Sequence, residues 1–498
     1  MTGTVQSKMA RGALWMLLFK FAERSLGLIS TLILVRLLVP ADFGIVAMAM
    51  SFVIVAELLT AFGFDIALIQ RQDLTEEHYH SAWTCNLFLG LAVTLVMFAA
   101  AYPVALFYGR PEVFWVVCAL ALGPVITGAE NIGVVAFRKE LDFRKEFRFQ
   151  LMRKLVSFAI AVPLAFWLQT YWALVAGMLA SRLTGTVNSY HMHPFRPHFS
   201  FSQARSLISF SKWLLLNNMV GFLKERASDF FIGRLHGPAS LGLYNVSYEF
   251  AMLPTTELSA PINRALLPGF AKMTADSRGL VAVYNNALGM LALFATPAAA
   301  GMFAVAPYFV PVVLGAKWLA ATPLLELLAV NGALLFLHSS ICTVLIGAGH
   351  PRRVMVTNSI YVAILLVGLF LFSPVGAIGA AYAVLTASTL STPIYLFHIN
   401  RSIGVNNVMF LRAVIRPVCA SLAMVVVVRG VLPDYDATEP VVASIGWLAG
   451  GVAVGIATYG LLVTTIWLVL GRPSGAEQLL FEKTRNRIRA RFAPATPE

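Results

Sequence analysis

Charged side chains are scarce in this chain. Only 12% of its 498 residues are Asp, Glu, Lys or Arg, whereas soluble proteins contain about 25%. Cysteine is also rare, and its four copies are isolated within apolar blocks, so the sequence implies neither a disulfide framework nor a metal knuckle. The chain contains no Gly-Lys-Ser/Thr phosphate loop, so we do not expect an ATPase of that type. These shortages argue against an ordinary soluble enzyme.

Hydrophobic residues are abundant instead. They make up 58% of the chain and occur in blocks of about 20 residues, the length of a helix that crosses a bilayer. We therefore predict an all-α polytopic membrane protein, and we exclude a β-barrel because its strands alternate apolar and polar residues over short segments. The fourteen predicted spans are 12–38, 43–69, 81–107, 113–137, 150–169, 171–190, 207–233, 240–268, 285–314, 319–346, 354–372, 374–398, 408–429 and 441–470.

The basic residues predict how these spans are oriented. The formal net charge of +13 does not indicate a nucleic-acid partner, because Lys and Arg are dispersed among alternate loops. Short loops rich in Lys and Arg stay in the cytoplasm, which places both termini there. The longest outer loop, 430–440, contains Asp434 and Asp436 and is too small for a catalytic domain. We therefore expect no enzymatic activity and no catalytic residues.

One nine-residue motif occurs twice and divides the chain. RLLVPADFG spans 36–44 and RLHGPASLG spans 234–242, an offset of 198 residues, 234 minus 36. Each copy joins the first two spans of a half that contains six. Because six is even, both halves have the same orientation, as parallel repeats around a central cavity do. The predicted domains are an N-lobe at 1–200, a C-lobe at 201–402, two extra helices at 403–470 and a basic cytoplasmic tail at 471–498.

Ionisable residues inside the predicted spans mark the candidate site. Each costs at least about 2.5–3.5 kcal/mol in hydrocarbon, so such residues usually face a partner or a watery cavity. The cations expected to line the cavity and bind an anionic substrate are Lys20, Arg24, Lys224, Arg226 and Arg264. The carboxylates expected to couple transport to an ion gradient are Glu57, Asp65, Glu130 and Glu257. For each residue the alternative is a structural ion pair that only stabilises the bundle.

Glu57 ranks first among the carboxylates. Its own span contains no Lys or Arg before Arg71 at the membrane edge, so no cation on that helix keeps it ionised. The histidines are predicted to be solvated loop residues instead of metal ligands, and we expect no metal or cofactor. They are His78, His80, His191, His193 and His198.

Several segments resemble a known family. The two openings RLLVPADFGIVAMA and RLHGPASLGLYNVS are similar to the paired hairpins of the polysaccharide transporter family, as are ALIQRQDLTEEHYHSAWTCNLFLG, FRKELDFRKEF and ELSAPINRALLPGFAKM. These Wzx-type flippases, which include colanic acid and lipopolysaccharide exporters, belong to the multidrug/oligosaccharidyl-lipid/polysaccharide exporter superfamily. The resemblance implies two six-helix lobes around a cavity, as in the related multidrug exporters and lipid II flippases. The extra pair of helices also matches the lipid II flippases.

The resemblance also implies a function. It indicates translocation of undecaprenyl-diphosphate-linked oligosaccharide repeat units across a bacterial inner membrane, for exopolysaccharide, capsule or O-antigen biosynthesis. The expected partners are the lipid-linked substrate, membrane lipid and polysaccharide polymerase or assembly proteins. The sequence leaves the oligomeric state open, with a monomer as the expected form.

Two other functions fit the sequence less well. An ion-coupled multidrug exporter on the same fold needs an acidic or aromatic cavity for cationic drugs, whereas the predicted cavity here contains five cations. A polysaccharide polymerase or ligase needs a sizeable catalytic loop outside the membrane, and the sequence provides none. The flippase is therefore the preferred prediction, and alternating access by rocking of the lobes is the expected mechanism.

Overall fold

The structure is a computed structural model that describes residues 2–58, 64, 68, 75–140, 142–204, 212–272, 277–472 and 477–478. Within these residues all regular structure is helical. In chain order the α-helices are α1 (Thr2–Leu37), α2 (Pro40–Leu58), α3 (Glu76–Tyr108), α4 (Pro111–Leu120), α5 (Leu122–Gly128), α6 (Val135–Lys139), α7 (Phe143–Leu168), α8 (Trp172–Met192), α9 (Lys212–Lys272), α10 (Ser277–Phe309), α11 (Thr322–Gly347), α12 (Pro351–Phe372), α13 (Ala377–Ile403), α14 (Asn407–Val431) and α15 (Val441–Val469).

Where the structure describes them, the predicted spans fall mainly on these helices. In the described residues, ten helices are long and apolar enough to cross a membrane. The other four predicted spans fall on α1, α8 and the two arms of α9, which are more polar. The fourth predicted span, 113–137, is not one continuous helix, because it is interrupted after α5 before a 3-10 turn at Ile132–Val134. The all-α membrane fold is confirmed, and the total of fourteen crossings stays a prediction.

The chain forms two compact units, Met1–Asn245 and Val246–Glu498. Their boundary lies within α9, which breaks into two arms at Gly237. Gly237 has φ +78, a conformation that glycine adopts without the steric cost of a Cβ. The predicted lobe boundaries at 200 and 402 remain predictions.

The repeated motif packs against itself within the first unit. A Cβ added to Gly44 would lie far under 3.0 Å from the carbonyl oxygen of Pro238, and one added to Gly242 would lie as close to that of Pro40. Gly44 and Gly242 occupy matching positions in the two copies, as do Pro40 and Pro238. The two contacts are therefore equivalent, and each requires a residue without a side chain.

The segment after α8 is anchored to the first unit. Asn131, which is buried, donates its amide to the carbonyl oxygen of Phe195 over 2.6 Å and accepts from the Gly133 N–H over 2.9 Å. Burial lowers the pKa of His193, which keeps its ring neutral and lets Nδ1 accept from the Phe195 N–H. This segment, 193–204, leads to the second copy of the repeat.

The prediction that all five histidines are solvated is wrong for two of them. His78 and His80 are buried on the first turns of α3. The imidazole of His78 interacts with Thr75 in a capping box, and Nδ1 of His80 accepts from the His198 N–H over 3.1 Å. The sequence shows charged residues next to these two histidines. It does not show that segment 193–204 packs over their rings.

The second unit packs around a core of large side chains. Tyr284 of α10, Phe336 of α11 and Tyr395 of α13 are among its fully buried residues. The two extra helices pack on α10, where Ala304 and Val305 contact Met424 of α14 in a separate cluster. Tyr459 of α15 donates its hydroxyl to the carbonyl oxygen of Leu293, which ties the last helix to the same unit.

Candidate functional site

Helix α1 has a polar stripe, formed by Lys20, Glu23 and Arg24, that pairs with α7. Lys20 Nζ lies 2.7 Å from Glu23 Oε2, and Lys154 Nζ lies 3.7 Å from Glu23 Oε1. Lys20 and Arg24 are four residues apart and therefore lie on one face of the helix. Arg24 is partly buried, whereas Lys20 is exposed. Glu23 thus has a cation on each side, one from its own helix and one from α7.

Glu57 has a cationic partner from a distant helix. Its Oε1 lies 2.5 Å from Nη2 of Arg182, which is located on α8. The guanidinium of Arg182 also occupies the space over Gly123, where any Cβ would clash with it. The expectation that Glu57 is remote from cations therefore holds for its own helix only. In the folded unit the carboxylate is held by an arginine.

Glu130 forms a second ion pair of the same kind. It follows α5, and its Oε2 lies 3.4 Å from Nη1 of Arg153 on α7. Gly185 of α8 provides the space for this pair, because a Cβ there would lie 2.9 Å from the Arg153 guanidinium and 3.1 Å from Glu130 Oε2. Arg182 and Gly185 are one turn apart, so α8 supports both ion pairs.

Three cations of this region were not predicted from the sequence: Arg153, Lys154 and Arg182. All three lie inside the predicted fifth and sixth spans, and Arg182 is near the middle of its span. An ionisable residue at that depth is by itself a signal for a buried partner. Their positions were available from the sequence, but their partners on other helices were not.

The first arm of α9 carries the second cationic stripe. Lys224 is partly buried and Glu225 is exposed. Arg226 Nη1 lies 3.1 Å from Oδ2 of Asp229, whose side chain is almost fully buried. The structural ion pair, which is the alternative to a binding role, is therefore present for Arg226.

Aromatic rings surround this arm. Phe52 of α2 packs edge-on against Phe230 with ring centroids 5.2 Å apart, and against Tyr108 at 5.8 Å. Arg234 lies over the ring of Phe107 at 5.7 Å, a cation–π distance. The charged stripe of α9 thus adjoins an aromatic wall made by α2 and α3.

The remaining predicted residues are less well placed. Asp65 lies outside the described residues, and so does the side chain of Arg264, whose backbone is helical in α9. Glu257 is exposed on the second arm of α9. Lys20, Arg24, Lys224 and Arg226 all belong to the first unit. That the five cations converge on one cavity stays a prediction.

No metal centre was found in the described part of the chain, where no three His, Cys, Asp or Glu side chains form a group suited to a metal ion.

The chemical property that the candidate site provides is charge. Arginine and lysine side chains lie on α1, α7, α8 and α9, and the carboxylates of Glu23, Glu57, Glu130 and Asp229 each have a cation within ion-pair distance. Such a set can bind an anion by exchanging one carboxylate partner for another acidic group.

The sequence model of the family described as "Polysaccharide biosynthesis protein" matches residues 33–323. This match covers more than half of the chain and includes both copies of the repeat. The chain belongs to this family. The predicted family resemblance is thereby confirmed.

Curated relatives of this family member include one transport protein and several biosynthesis proteins. The succinoglycan biosynthesis transport protein ExoT of Rhizobium meliloti is 26% identical over 100% of this chain and 99% of its own. The lipopolysaccharide biosynthesis protein WzxC of Escherichia coli is 27% identical over 66% of this chain and 68% of its own. The teichuronic acid biosynthesis protein TuaB of Bacillus subtilis is 25% identical over 76% of this chain and 79% of its own.

Solved structures show the fold of this family member. The lipid II flippase MurJ in an inward closed conformation aligns with a TM-score of 0.76 and 13% identity, over 91% of this chain and 99% of that one. An inward-facing multidrug resistance MATE transporter of the MOP superfamily aligns with a TM-score of 0.55 and 13% identity, over 76% of this chain and 94% of that one. The predicted fold, similar to multidrug exporters and lipid II flippases, is confirmed.

Proposed function

We propose that this protein is a flippase of the bacterial inner membrane. It moves undecaprenyl-diphosphate-linked oligosaccharide repeat units outward for exopolysaccharide, capsule or O-antigen assembly. The observation that carries the proposal is the family match together with a transport-protein relative, ExoT, that is similar over the whole chain. The lipid II flippase fold agrees with it, since MurJ aligns over nearly its full length.

The physical task explains the polar interior. A diphosphate with attached sugars cannot cross about 30 Å of hydrocarbon without losing its hydration. A cationic passage replaces those lost interactions while the lipid tail stays in the bilayer. Translocation makes and breaks no covalent bond, so the proposed function needs no catalytic residue and no cofactor.

The diphosphate-binding residues we propose are Lys20, Arg24, Lys224, Arg226 and Arg264. Arg226 is held by Asp229 and Lys20 by Glu23, so these two cations have carboxylate partners that a diphosphate can displace. Arginine suits bidentate phosphate recognition and lysine acts as a point charge. Before the substrate binds, the carboxylates neutralise these two cations. When the diphosphate binds, it takes the place of the carboxylates.

The coupling residues we propose are Glu57, Asp65, Glu130 and Glu257. The ion pairs of Glu57 and Glu130 suggest how coupling operates. Protonation of Glu57 or Glu130 would remove the negative charge of that carboxylate and so release Arg182 or Arg153 from its ion pair. Proton entry and the breaking of an interhelical contact then become one event.

Cells that lack the gene provide the test. They should accumulate lipid-linked oligosaccharide on the cytoplasmic leaflet, and the wild-type gene should restore polysaccharide output. Arg226→Ala alone leaves Asp229 buried without its partner, so the informative variant is Arg226→Ala with Asp229→Asn and Arg24→Ala. We expect this triple variant to reach the membrane and to export little polysaccharide.

Arg144→Ala is the matched control, because it removes an exposed arginine on the first turn of α7. Its export should equal that of the wild type. Normal export from the triple variant would refute the diphosphate site. Normal polysaccharide in the deletion strain, with loss of resistance to cationic drugs instead, would favour a multidrug exporter over the flippase.

A further inference from the structure

Segment 193–204 forms a loop whose tip lies against the side of α3. Phe199 packs on Trp83 with ring centroids 5.4 Å apart and on Phe88 at 6.2 Å, and Phe201 packs on Phe88 at 5.4 Å. Trp83 is buried, whereas Phe88, Phe199 and Phe201 keep 49%, 66% and 58% of their surface exposed. These three exposed rings form the aromatic patch. Neither the proposed binding site nor the proposed coupling carboxylates use it.

The aromatic patch continues an apolar face of α3. Exposed side chains recur along this helix every three or four residues, a spacing that places them on one side. They are Phe88, Leu91, Leu95, Phe98 and Tyr102. The helix is long and apolar enough to cross a membrane. An exposed apolar stripe on such a helix suits contact with acyl chains, because a passage for a polar substrate requires hydrogen-bonding or charged side chains.

The tip of the loop lies inside the predicted edge of the membrane. The third predicted span begins at residue 81, and Phe88 is seven residues further along, 88 minus 81. At about 1.5 Å of rise per residue, Phe88 is about 10 Å along the helix from that edge. Phe199 and Phe201 both contact the ring of Phe88, so they lie at a similar depth.

Side chains of α3 satisfy backbone groups of this loop. The Thr84 hydroxyl accepts from the Ser200 N–H over 3.0 Å, and the Ser81 hydroxyl accepts from the Gln203 N–H over 3.1 Å. Ser81 and Thr84 are both buried. Irregular backbone can lie at membrane depth only where protein groups satisfy it, because acyl chains form no hydrogen bonds. These contacts therefore suit a loop that enters the bilayer.

Polar groups of the same segment accompany the aromatic patch. Glu77, on the first turn of α3, accepts from the Ser202 hydroxyl over 3.1 Å. Arg196 is exposed, and its guanidinium is positioned by donating to the carbonyl oxygens of His193 and Phe195 over 2.8 and 2.9 Å. Exposed aromatic rings with a cation beside them are typical of segments that bind the surface of an anionic bilayer.

We propose that the tip of segment 193–204 is a membrane anchor, with the aromatic patch among the acyl chains and Arg196 at the headgroup phosphates. Its partner is an anionic phospholipid of the leaflet at the start of α3. Insertion of the rings fixes the depth of the loop, and Arg196 adds an attraction that depends on the charge of the lipid. The proposal concerns the first unit alone and does not depend on which substrate is transported.

Quenching of a fluorescent label tests the depth of the tip. Bimane is attached to Phe201→Cys in a cysteine-free full-length protein, which is reconstituted into vesicles of phosphatidylcholine and phosphatidylglycerol. Brominated acyl chains quench the label from within the bilayer, whereas iodide on both sides of the membrane quenches it from the water. Relative to a label in water, we expect about threefold stronger quenching by the brominated chains and about threefold weaker quenching by iodide.

Two other positions calibrate this measurement. Leu95→Cys lies on the exposed face of α3 and gives the value for acyl chains, and Glu140→Cys, which is exposed after α6, gives the value for water. A label on Phe201→Cys that behaves as the one on Glu140→Cys would overturn the anchor. A label shielded from both quenchers would also overturn it, because a protein surface and not lipid would then cover the patch.

The charge of the lipid is tested with the same label. Vesicles of phosphatidylcholine alone should reduce quenching of Phe201→Cys by brominated chains about twofold. Adding Arg196→Gln should give the low value in both kinds of vesicle, whereas Arg196→Lys retains the positive charge and should retain the dependence. Equal quenching with and without phosphatidylglycerol, before any change at Arg196, would refute the anionic headgroup as partner.

Hydrogen exchange tests the anchor without a label. In proteoliposomes, the double variant Phe199→Ser with Phe201→Ser should exchange the backbone hydrogens of Ser200 and Gln203 about tenfold faster than the wild type. Phe370→Ser removes an equally exposed ring from α12 and should leave this exchange unchanged. Wild-type exchange in the double variant would show that the rings do not hold the loop, contrary to the proposal.

Discussion

At the scale of single residues, the glycines of the repeated motif have a physical role. Gly44 and Gly242 each face the backbone of a proline in the other copy, so any side chain there must separate the two helices. Overpacking of this kind costs about 1–3 kcal/mol. We expect Gly44→Val to lower the thermal unfolding temperature of the purified protein.

Gly460→Val provides the control for this prediction. Gly460 is on α15, and a Cβ added there would meet no atom within 4 Å. Both substitutions add the same side chain to a helix, so they share the cost of a β-branched residue. Equal unfolding temperatures for the two variants would mean that the Gly44 contact is unimportant.

Glu57 illustrates what sequence reasoning at this scale can and cannot provide. Its position within an apolar span was enough to select it as a functional candidate. Its partner, Arg182, is 125 residues away, 182 minus 57, and neither span shows a spacing that relates the two. Pairing across helices depends on how they pack, which local periodicity does not encode.

The ion pair with Arg182 adds an effect on stability to the prediction for Glu57. Glu57→Gln retains the shape and cannot carry a proton, so transport driven by a pH gradient in proteoliposomes should be lost while downhill exchange remains. The unpaired Arg182 should cost about 1–3 kcal/mol of stability, between the values for exposed and buried pairs. Adding Arg182→Gln should recover stability without recovering coupling.

Glu225→Gln is the control for this prediction, since it removes an exposed carboxylate from α9 and should leave gradient-driven transport intact. If Glu57→Gln transports as fast as the wild type under the gradient, then Glu57 is not a coupling group. The ion pair with Arg182 would in that case be purely structural.

At the scale of helices, apolar run length was a reliable guide. Within the part of the chain that the structure describes, the predicted spans fall mainly on helices, because about 20 apolar residues in a bilayer must satisfy their backbone hydrogen bonds within the segment. The fourth predicted span is not one continuous helix. The helix is interrupted after Leu120 and ends at Gly128, in a region that contains Gly123, Pro124 and Gly128. Apolar composition alone does not reveal such breaks.

The two extra helices, α14 and α15, illustrate the limit of repeat-based reasoning. The repeat does not predict where these two helices pack. In the structure they contact α10 and α11. Arg429 of α14 forms an ion pair with Glu326 and donates to the carbonyl oxygen of Phe303. No periodic pattern in the sequence relates these residues.

An ion pair also connects the start of the tail to α14. Arg416 Nη2 lies 3.3 Å from Glu477 Oε2, and both side chains are nearly buried. Removal of one partner from a buried pair costs about 3–5 kcal/mol, because the other charge is left uncompensated. We expect Glu477→Gln to make the region of α14 and α15 more sensitive to limited proteolysis.

The double substitution Arg416→Met with Glu477→Met tests the cause of that effect. It removes both charges and retains apolar volume, so protease resistance should return toward the wild-type value. Persistent sensitivity in the double variant would show that the charges matter for another reason, such as contact with lipid headgroups.

At the scale of the whole molecule, the sequence predicts the family and the fold but not which charged residues pair. The family and the all-α membrane fold followed from the repeated motif and the apolar blocks, which are properties of the sequence itself. The candidate site required knowledge of which charges meet. The structure pairs two of the carboxylates predicted from the sequence, Glu57 and Glu130, and it also pairs Glu23 and Asp229. Partial neutralisation of this kind is expected wherever charges lie within a membrane.

Membrane orientation is the prediction that the whole chain supports. The asymmetry of Lys and Arg places Asp434 and Asp436 outside, and Arg144, Arg352 and Arg487 inside. Positions 434 and 144 are both exposed in the folded protein, so a difference in their labelling reports the side of the membrane and not burial. In a cysteine-free background, Asp434→Cys should react with an impermeant thiol reagent in whole cells, whereas Arg144→Cys should react only after the membrane is opened. The reverse pattern would invert the orientation and remove the argument that both halves enter the membrane from the cytoplasmic side.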